Sequence, residues 1–419
     1  MAKTETPDPR IPRTRIRCGA LLAAVKDVTG VVAGRSTVPI LDFVQFSCSD
    51  GAIELITTDL DMWATRTLAS DIMGQPDSAE WKAGTSNFTI AVPAKPLEAL
   101  LGQIDPDAMV TLVAPDGSET RAVIKAGRAR FKLACLPVDD FPVVPPLLGS
   151  TDSSGFEMPA SAMADMFAAI EHAISTEDTR YYLNGIYLHP VDLTLRAAAT
   201  DGHRLARMAI DAPDGAVSFP GAIVSRWTVA VLDKLLARAA KADDTAVVSV
   251  EAEGQIGESG APARLRFTMP ASDDGTVELL AKTVDGTYPE YGRVIPSTVE
   301  TTARLSRAAL IEAIKRVATL GDGKTRIVAC DFSADKLTLT ASTIELGEAS
   351  EEMPADYPGD PVTVGMDSRY LLMALAAMAC DTVALGLSGA GGPVRLRAVD
   401  GDDGTESDKL VQVVMPSRI

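Results

Sequence analysis

The chain has 419 residues, 46% of them hydrophobic and 23% charged, with a formal net charge of −18 at pH 7. That balance excludes a disordered or collagen-like polymer, and the length exceeds what one hydrophobic core holds, so two to four domains are expected. The longest uninterrupted apolar run, Tyr370 to Cys380, is 11 residues, about half of what a bilayer span needs, so no membrane partner is expected.

Residues 1–11 contain proline and show no periodicity, the pattern of a flexible tail, and no apolar stretch follows the first basic residues, which argues against a secretory signal. The first amphipathic pattern places Leu21, Leu22, Val25 and Val28 on one helix face. Period-two alternation follows at Val44, Phe46 and Cys48, then in the strand Ile53 to Thr58 and again at Phe88, Ile90 and Val92. A second helix carries Leu97, Leu100 and Leu101 after Pro93, and the segment closes on Phe131 to Pro137 and Phe141-Pro142.

The same order then recurs. Met163, Met166, Phe167, Ile170 and Ile174 share a helix face, Leu193 to Thr200 reads as a strand, and Val231, Leu232 and Leu235 form a helix stripe behind the N-cap candidate Ser225. In the third pass Leu310, Ile314 and Val317 precede the strand Leu337 to Ser342, and Leu371, Ala374, Leu375 and Met378 follow the cap candidate Asp367. The strand ends Thr58, Thr200 and Ser342 are spaced by 142 residues both times. Three equivalent α+β domains are therefore expected, each with two helices among antiparallel strands, at 1–148, 149–297 and 298–419. Stretches 70–87, 251–263 and 400–408 have the polar composition of solvated loops.

Chemistry-bearing residues are few. Five widely spaced cysteines without a CxxC pair suit a reduced, cytoplasmic chain. Of three histidines only His203 lies in a suggestive phrase, and Asp201 with His203 supplies at most two metal ligands, whereas Asp201-Gly202 between strand-like runs reads as a hairpin turn. No phosphate-binding loop, dinucleotide fingerprint or zinc-protease helix occurs, so no cofactor, metal or catalytic residue is expected. Arg226, Lys234, Arg238 and Lys241 fall within an arc of about 120° on the helix after Ser225. Such a stripe is ordinarily a solvated face, yet in a chain this acidic it is also where phosphate attraction would be concentrated.

The phrases Gly34 to Ile40, Arg180-Tyr-Tyr-Leu-Asn-Gly185, Thr200-Asp-Gly-His-Arg-Leu205 and Val413 to Ile419 closely resemble the bacterial sliding clamp family, the beta subunit of DNA polymerase III, from about Arg15 onward. The resemblance implies a non-catalytic homodimeric ring that encircles duplex DNA without sequence preference and tethers the replicative polymerase, the clamp loader and repair proteins. For DNA binding it implies Arg35, Tyr181 and Tyr182, with Arg180, Arg226, Lys234 and Arg238 as further cations. It implies a groove for partner peptides at Leu183, Thr200, Gly202, His203, Arg204, Leu205, Pro289, Arg293, Val294, Val413, Val414, Met415, Pro416, Ser417 and Arg418. For the chain-to-chain interface it implies Phe131 and Leu133 against Thr319 and Leu320. Two other readings remain at this point: a peptide-binding scaffold that no longer encircles DNA, and a hydrolase built on Asp201 and His203.

Overall fold

One succession of elements occurs three times in the protein, a computed structural model that describes residues 13–32, 37–49, 52–68, 87–115, 120–146, 154–254, 261–272, 275–321, 326–344, 346–400 and 404–419. In the first domain it runs β1 (Arg13–Arg17), α1 (Cys18–Val28), β2 (Phe43–Ser49), β3 (Ala52–Thr58), β4 (Met62–Leu68), β5 (Phe88–Pro93), α2 (Ala94–Leu101), β6 (Met109–Val113), β7 (Arg121–Ala126) and β8 (Ala129–Ala134). The second repeats it as β9 (Gly155–Pro159), α3 (Ala160–Ala168), β10 (Gly185–Val191), β11 (Thr194–Thr200), β12 (Arg204–Asp211), β13 (Ala222–Ser225), α4 (Arg226–Ala242), β14 (Val247–Glu253), β15 (Arg264–Pro270) and β16 (Thr276–Lys282). The third comprises β17 (Thr301–Ser306), α5 (Arg307–Val317), β18 (Ile327–Ser333), β19 (Lys336–Thr343), β20 (Gly347–Pro354), β21 (Val362–Asp367), α6 (Ser368–Ala376), β22 (Thr382–Leu387), β23 (Val394–Asp400) and β24 (Thr405–Val414).

Helices α4, α5 and α6 begin where side-chain oxygens meet unpaired amides, whereas α1 and α2 start behind Arg17 and Pro93 with no side-chain cap. The Thr228 N–H donates to Ser225 Oγ at 3.1 Å, the Arg369 N–H to the Asp367 carboxylate at 2.8 Å, and the Ala309 N–H to Ser306 Oγ at 3.4 Å. α5 buries Leu310, Ile314 and Val317, and α1 buries Leu21, Val25 and Val28 while Leu22 sits at the margin. Ile170 and Ile174 both lie beyond the expected helix, because α3 stops at Ala168 and Ile170 takes φ −126°, although Ile170 stays buried. Leu193 lies in the turn before β11 and is 78% exposed.

Each domain's strands form two antiparallel four-strand sets. The sets of neighbouring domains fuse, giving the orders β5-β2-β3-β4-β16-β15-β14-β9 and β13-β10-β11-β12-β24-β23-β22-β17, while β1-β6-β7-β8 and β20-β19-β18-β21 remain four-stranded. Both fusions obey one rule: the third strand after a domain's first helix pairs with the last strand of the next domain, β4 with β16 and β12 with β24. The described residues form two compact units, one made of those within 1–163, 230–255 and 262–282 and the other of those within 164–229, 256–261 and 283–419. Each unit holds one eight-stranded and one four-stranded sheet, so the middle domain contributes a sheet half to each.

The first unit's core includes charge. Arg66 is fully buried and its guanidinium lies 3.3 Å from Asp27, whose other carboxylate oxygen accepts from Arg238 at 2.7 Å. Burial pushes the Asp27 carboxyl up and the Arg66 guanidinium down, against the attraction between them. In the second unit the comparable buried polar link is neutral: Gln412, fully buried in β24, donates to the Ala374 carbonyl at 2.7 Å, and its side-chain oxygen lies 2.9 Å from His172 Nε2.

Two of the expected loops are partly strand. Glu251 to Glu253 end β14, where buried Glu253 pairs with Arg264 at 3.1 Å and Arg266 at 2.7 Å. Thr405 to Asp408 begin β24, with Glu406 3.3 Å from Arg395 and Asp408 2.6 Å from Arg397. Cross-strand ion pairs let these polar runs pair as strands. The expected tail, the loop 70–86 and Arg35 lie outside the described residues.

Candidate peptide groove and basic surface

The β11–β12 hairpin turns on Thr200 to Arg204. Gly202 takes φ +90°, a left-handed conformation that glycine adopts without a side-chain clash, and a Cβ there would meet an Arg180 guanidinium nitrogen at 2.6 Å. The Asp201 carboxylate accepts from the His203 and Arg204 amides at 2.9 and 3.0 Å and pairs with the Arg204 side chain at 3.0 Å. Those bonds commit Asp201 to the turn, and the metal-site reading of Asp201 with His203 loses its first ligand. Among the described residues no group of three or more His, Cys, Asp or Glu side chains could hold a metal ion.

This turn rims an apolar floor. Leu183, Ala198, Leu205, Ile223, Tyr288, Tyr291 and Val413 pack as one buried cluster, and Val413 stands opposite Leu205 across the β12–β24 junction. Beyond β24 the chain stays tied down, since the Met415 N–H donates to the His203 carbonyl at 2.9 Å and the Ser417 N–H to the Gly365 carbonyl at 2.8 Å. Val414 is buried, Met415, Pro416 and Ser417 are half-buried, and Pro289, Arg293, Val294 and Arg418 are exposed around the rim. The geometry thus gathers one wall from the 200–205 turn, one from 413–418 and one from 288–294, all within the second unit.

Several members were not foreseen. Tyr370 lies beneath the turn, with Arg204 stacked 4.5 Å above its ring and His203 parallel to it at 6.2 Å. Tyr187 stacks on His189 at 4.2 Å and on Tyr288 at 5.0 Å, and the Tyr291 hydroxyl lies 3.1 Å from His189 Nε2. Burial depresses both His172 and His189 to about 4, so both are neutral at pH 7 and serve structure. Burial also pushes the Tyr288 phenol up. A buried ring face leaves no periodic mark that a strand hydrophobe would not also leave, and in the sequence Tyr370 stands only as the start of the longest apolar run.

The expected DNA-contacting residues fall on several elements. Arg180, Tyr181 and Tyr182 lie on a short 3-10 turn, Tyr181 being 54% exposed and edge-on to Tyr182 at 5.8 Å, while Arg180 pairs with Glu177 at 2.8 Å. On α4, Lys234 is exposed and Arg226 stacks 4.9 Å over the exposed Trp227 ring. Arg238 is half-buried and bound to Asp27, so its first role is to neutralise that carboxylate. Phe131 and Leu133 lie half-buried on β8, a sheet edge, and Thr319 and Leu320 lie on the turn after α5. No helix among the described residues is long and apolar enough to cross a membrane.

Threefold repetition and fused sheets, with polar residues set around one apolar cluster, define a repeat-built scaffold. Residues 14–145, 157–290 and 292–418 match, in order, the N-terminal, central and C-terminal domain models of the DNA polymerase III beta subunit. A beta sliding clamp of Caulobacter vibrioides is 36% identical over 365 residues, covering 85% of this chain and 88% of that protein, and one of Pseudomonas putida is 30% identical, covering 96% and 98%. Among solved structures, a sliding clamp from Bartonella birtlesii bound to griselimycin superposes with a TM-score of 0.84 at 30% identity, covering 98% of this chain and all of that one. A Caulobacter crescentus clamp gives 0.82 at 32%, covering 98% and 100%. The chain belongs to the beta sliding clamp family, the beta subunit of DNA polymerase III.

Proposed function

We propose that two copies of this chain close head to tail into a ring around duplex DNA, which slides there and tethers the replicative polymerase, the clamp loader and repair proteins by short peptides seated in the groove. The clamp carries out no reaction of its own. Topology replaces tight contact, so the phosphate attraction of Arg35, Arg180, Arg226, Lys234 and Arg238, with Tyr181 and Tyr182, need only be weak and sequence-independent. The domain bounds 1–148, 149–297 and 298–419 and a cytoplasmic location belong to the same reading.

The observation that carries ring closure is the sheet rule. β4 and β12 each pair with the last strand of the following domain, and their counterpart β20 ends a four-stranded sheet, as does β8, the counterpart of β16 and β24. Register transfers with the rule. Trp63 faces Leu280 and Leu205 faces Val413; the corresponding positions in the two free edges are Glu348 on β20, paired within its sheet to Ser342, and Lys132 on β8, paired to Val123. Antiparallel pairing of β20 of one chain with β8 of the next then sets Glu348 opposite Lys132, Glu352 opposite Arg128 and Ala349 opposite Phe131. Opposite charges face each other, both edges are covered, and the joined sheet again has eight strands.

Native mass measurement and retention on nicked circular DNA after loader treatment test this. Lys132→Glu is expected to shift the protein toward single chains, and Glu348→Lys in the same chain to restore the pair. Retention on circles that vanishes on linearisation is the expected signature. A protein that stays a single chain at all concentrations, or is never retained on circles, would contradict the ring.

A further inference from the structure

The two eight-stranded sheets are built alike, yet their outer faces differ where a connecting segment crosses them. In the second unit one row across the sheet reads Tyr187, Ala198, Arg207, Val411 and Arg397. The connector above carries Tyr288 and Tyr291, whose rings pack against Tyr187 and His189. The corresponding row in the first unit reads Gln45, Ile56, Thr65, Glu278 and Thr268, and its connector carries Phe141 and Val144. Replacing two tyrosines and two arginines by Gln45, Val144 and two threonines removes ring and guanidinium volume. A groove of about 750 Å3 lies there, lined by these residues with Glu54, Asp139 and Val143.

We infer that this groove of the first unit is a second docking site, taking a short peptide segment of a protein partner in which lysine or arginine alternates with apolar side chains. Its volume is that of ligand-binding clefts. Ile56 and Phe141 give an apolar floor, and Val143 is 84% exposed at the lip. Four threonines, Thr65, Thr67, Thr268 and Thr276, present hydroxyls to a peptide backbone. The charge selects the occupant: Glu278 is neutralised by Arg266, whereas among the described residues no cation is paired with Glu54 or Asp139. In the second unit Arg196 stands where Glu54 stands here, so the sign of the face is reversed between the units.

The probe is a fluorescent octapeptide of alternating lysine and leucine, with its glutamate–leucine counterpart as control, titrated into the full chain by anisotropy. Glu54→Gln with Asp139→Asn is expected to weaken binding about five- to tenfold. Val144→Tyr with Gln45→Tyr, which fills the groove without changing charge, should weaken it at least as much. Asp107→Asn with Glu157→Gln, an equal charge change at exposed positions elsewhere, should leave it unaltered. Thermal unfolding of each variant checks the fold, and the charge pair keeps the test intact should the tyrosine pair misfold. Equal binding to all three variants would mean diffuse attraction to an acidic protein, and no binding at high micromolar peptide would mean no site; either overturns the inference. So would groove variants that alter the mass of the assembly, which would assign the face to a second copy of the chain.

Discussion

The two compact units share one backbone plan and hold it together differently. The first locks α1, β4 and α4 with the charged trio Arg66, Asp27 and Arg238; the second locks its last strand with the neutral pair Gln412 and His172. The repeat therefore dictates strand order and register, while the polar atoms that fix each copy are chosen separately. The groove follows the same lesson: its apolar floor sits on a junction that the first unit also has, and its turn has a counterpart at Thr58 to Met62, where Asp59 accepts from the Asp61 and Met62 amides, but Gly202, His203, Arg204 and the tyrosines are the second unit's own.

The sharpest way to separate the two designs is Asp27→Ala, which leaves a fully buried guanidinium without its carboxylate. A loss of about 3–5 kcal/mol is expected, confined to the first unit, with hydrogen exchange faster in β2 to β5 and unchanged in β17 to β24. Next in size is Leu205→Ala at the groove floor, expected to cost about 2–5 kcal/mol in the second unit; calorimetry reads it, and loss of a clamp-binding peptide in anisotropy accompanies it. Gln412→Leu should leave His172 without its polar partner at a cost of about 1–3 kcal/mol, again in the second unit alone.

Acid should also divide the units. His172 and His189 have folded values near 4, below the ordinary 6.5, so the neutral forms are favoured by folding. Their stabilising contribution is full above about pH 6.5 and is lost as pH falls toward 4, by up to about 1.4 kcal/mol per pH unit for each histidine. Unfolding midpoints followed from pH 7 to 4 should fall for the second unit, and His189→Phe should flatten that slope. The smallest effect expected is that of Lys234→Ala, which should leave stability unchanged and lower the salt dependence of DNA retention by about one phosphate contact.

Much of this plan was legible in the chain. Helix stripes, the caps Ser225 and Asp367 and the turn at Gly202 rest on interactions within a few residues, and those leave a periodic or punctuated trace. The pairing of β4 with β16 joins residues more than 200 positions apart, so no local pattern records it. Polar strands were hidden for a related reason: Glu253 and Glu406 look solvated until the arginines across the sheet are known. At the candidate groove, the ordered phrases mark their residues only through resemblance, whereas Tyr187, His189 and Tyr370 enter through ring stacking that spacing does not encode.

The position of β24 in the middle of the second sheet has a consequence for synthesis. β12 finds its neighbour only in a strand that the ribosome makes after every other strand described, so until then the nascent chain exposes a long hydrogen-bonding edge. The first sheet is complete once β16 has emerged and can be fully paired while the third domain is still being translated. A chaperone that shields unfinished strands would accordingly be needed late in elongation, and a stall after β23 would release a species prone to clumping.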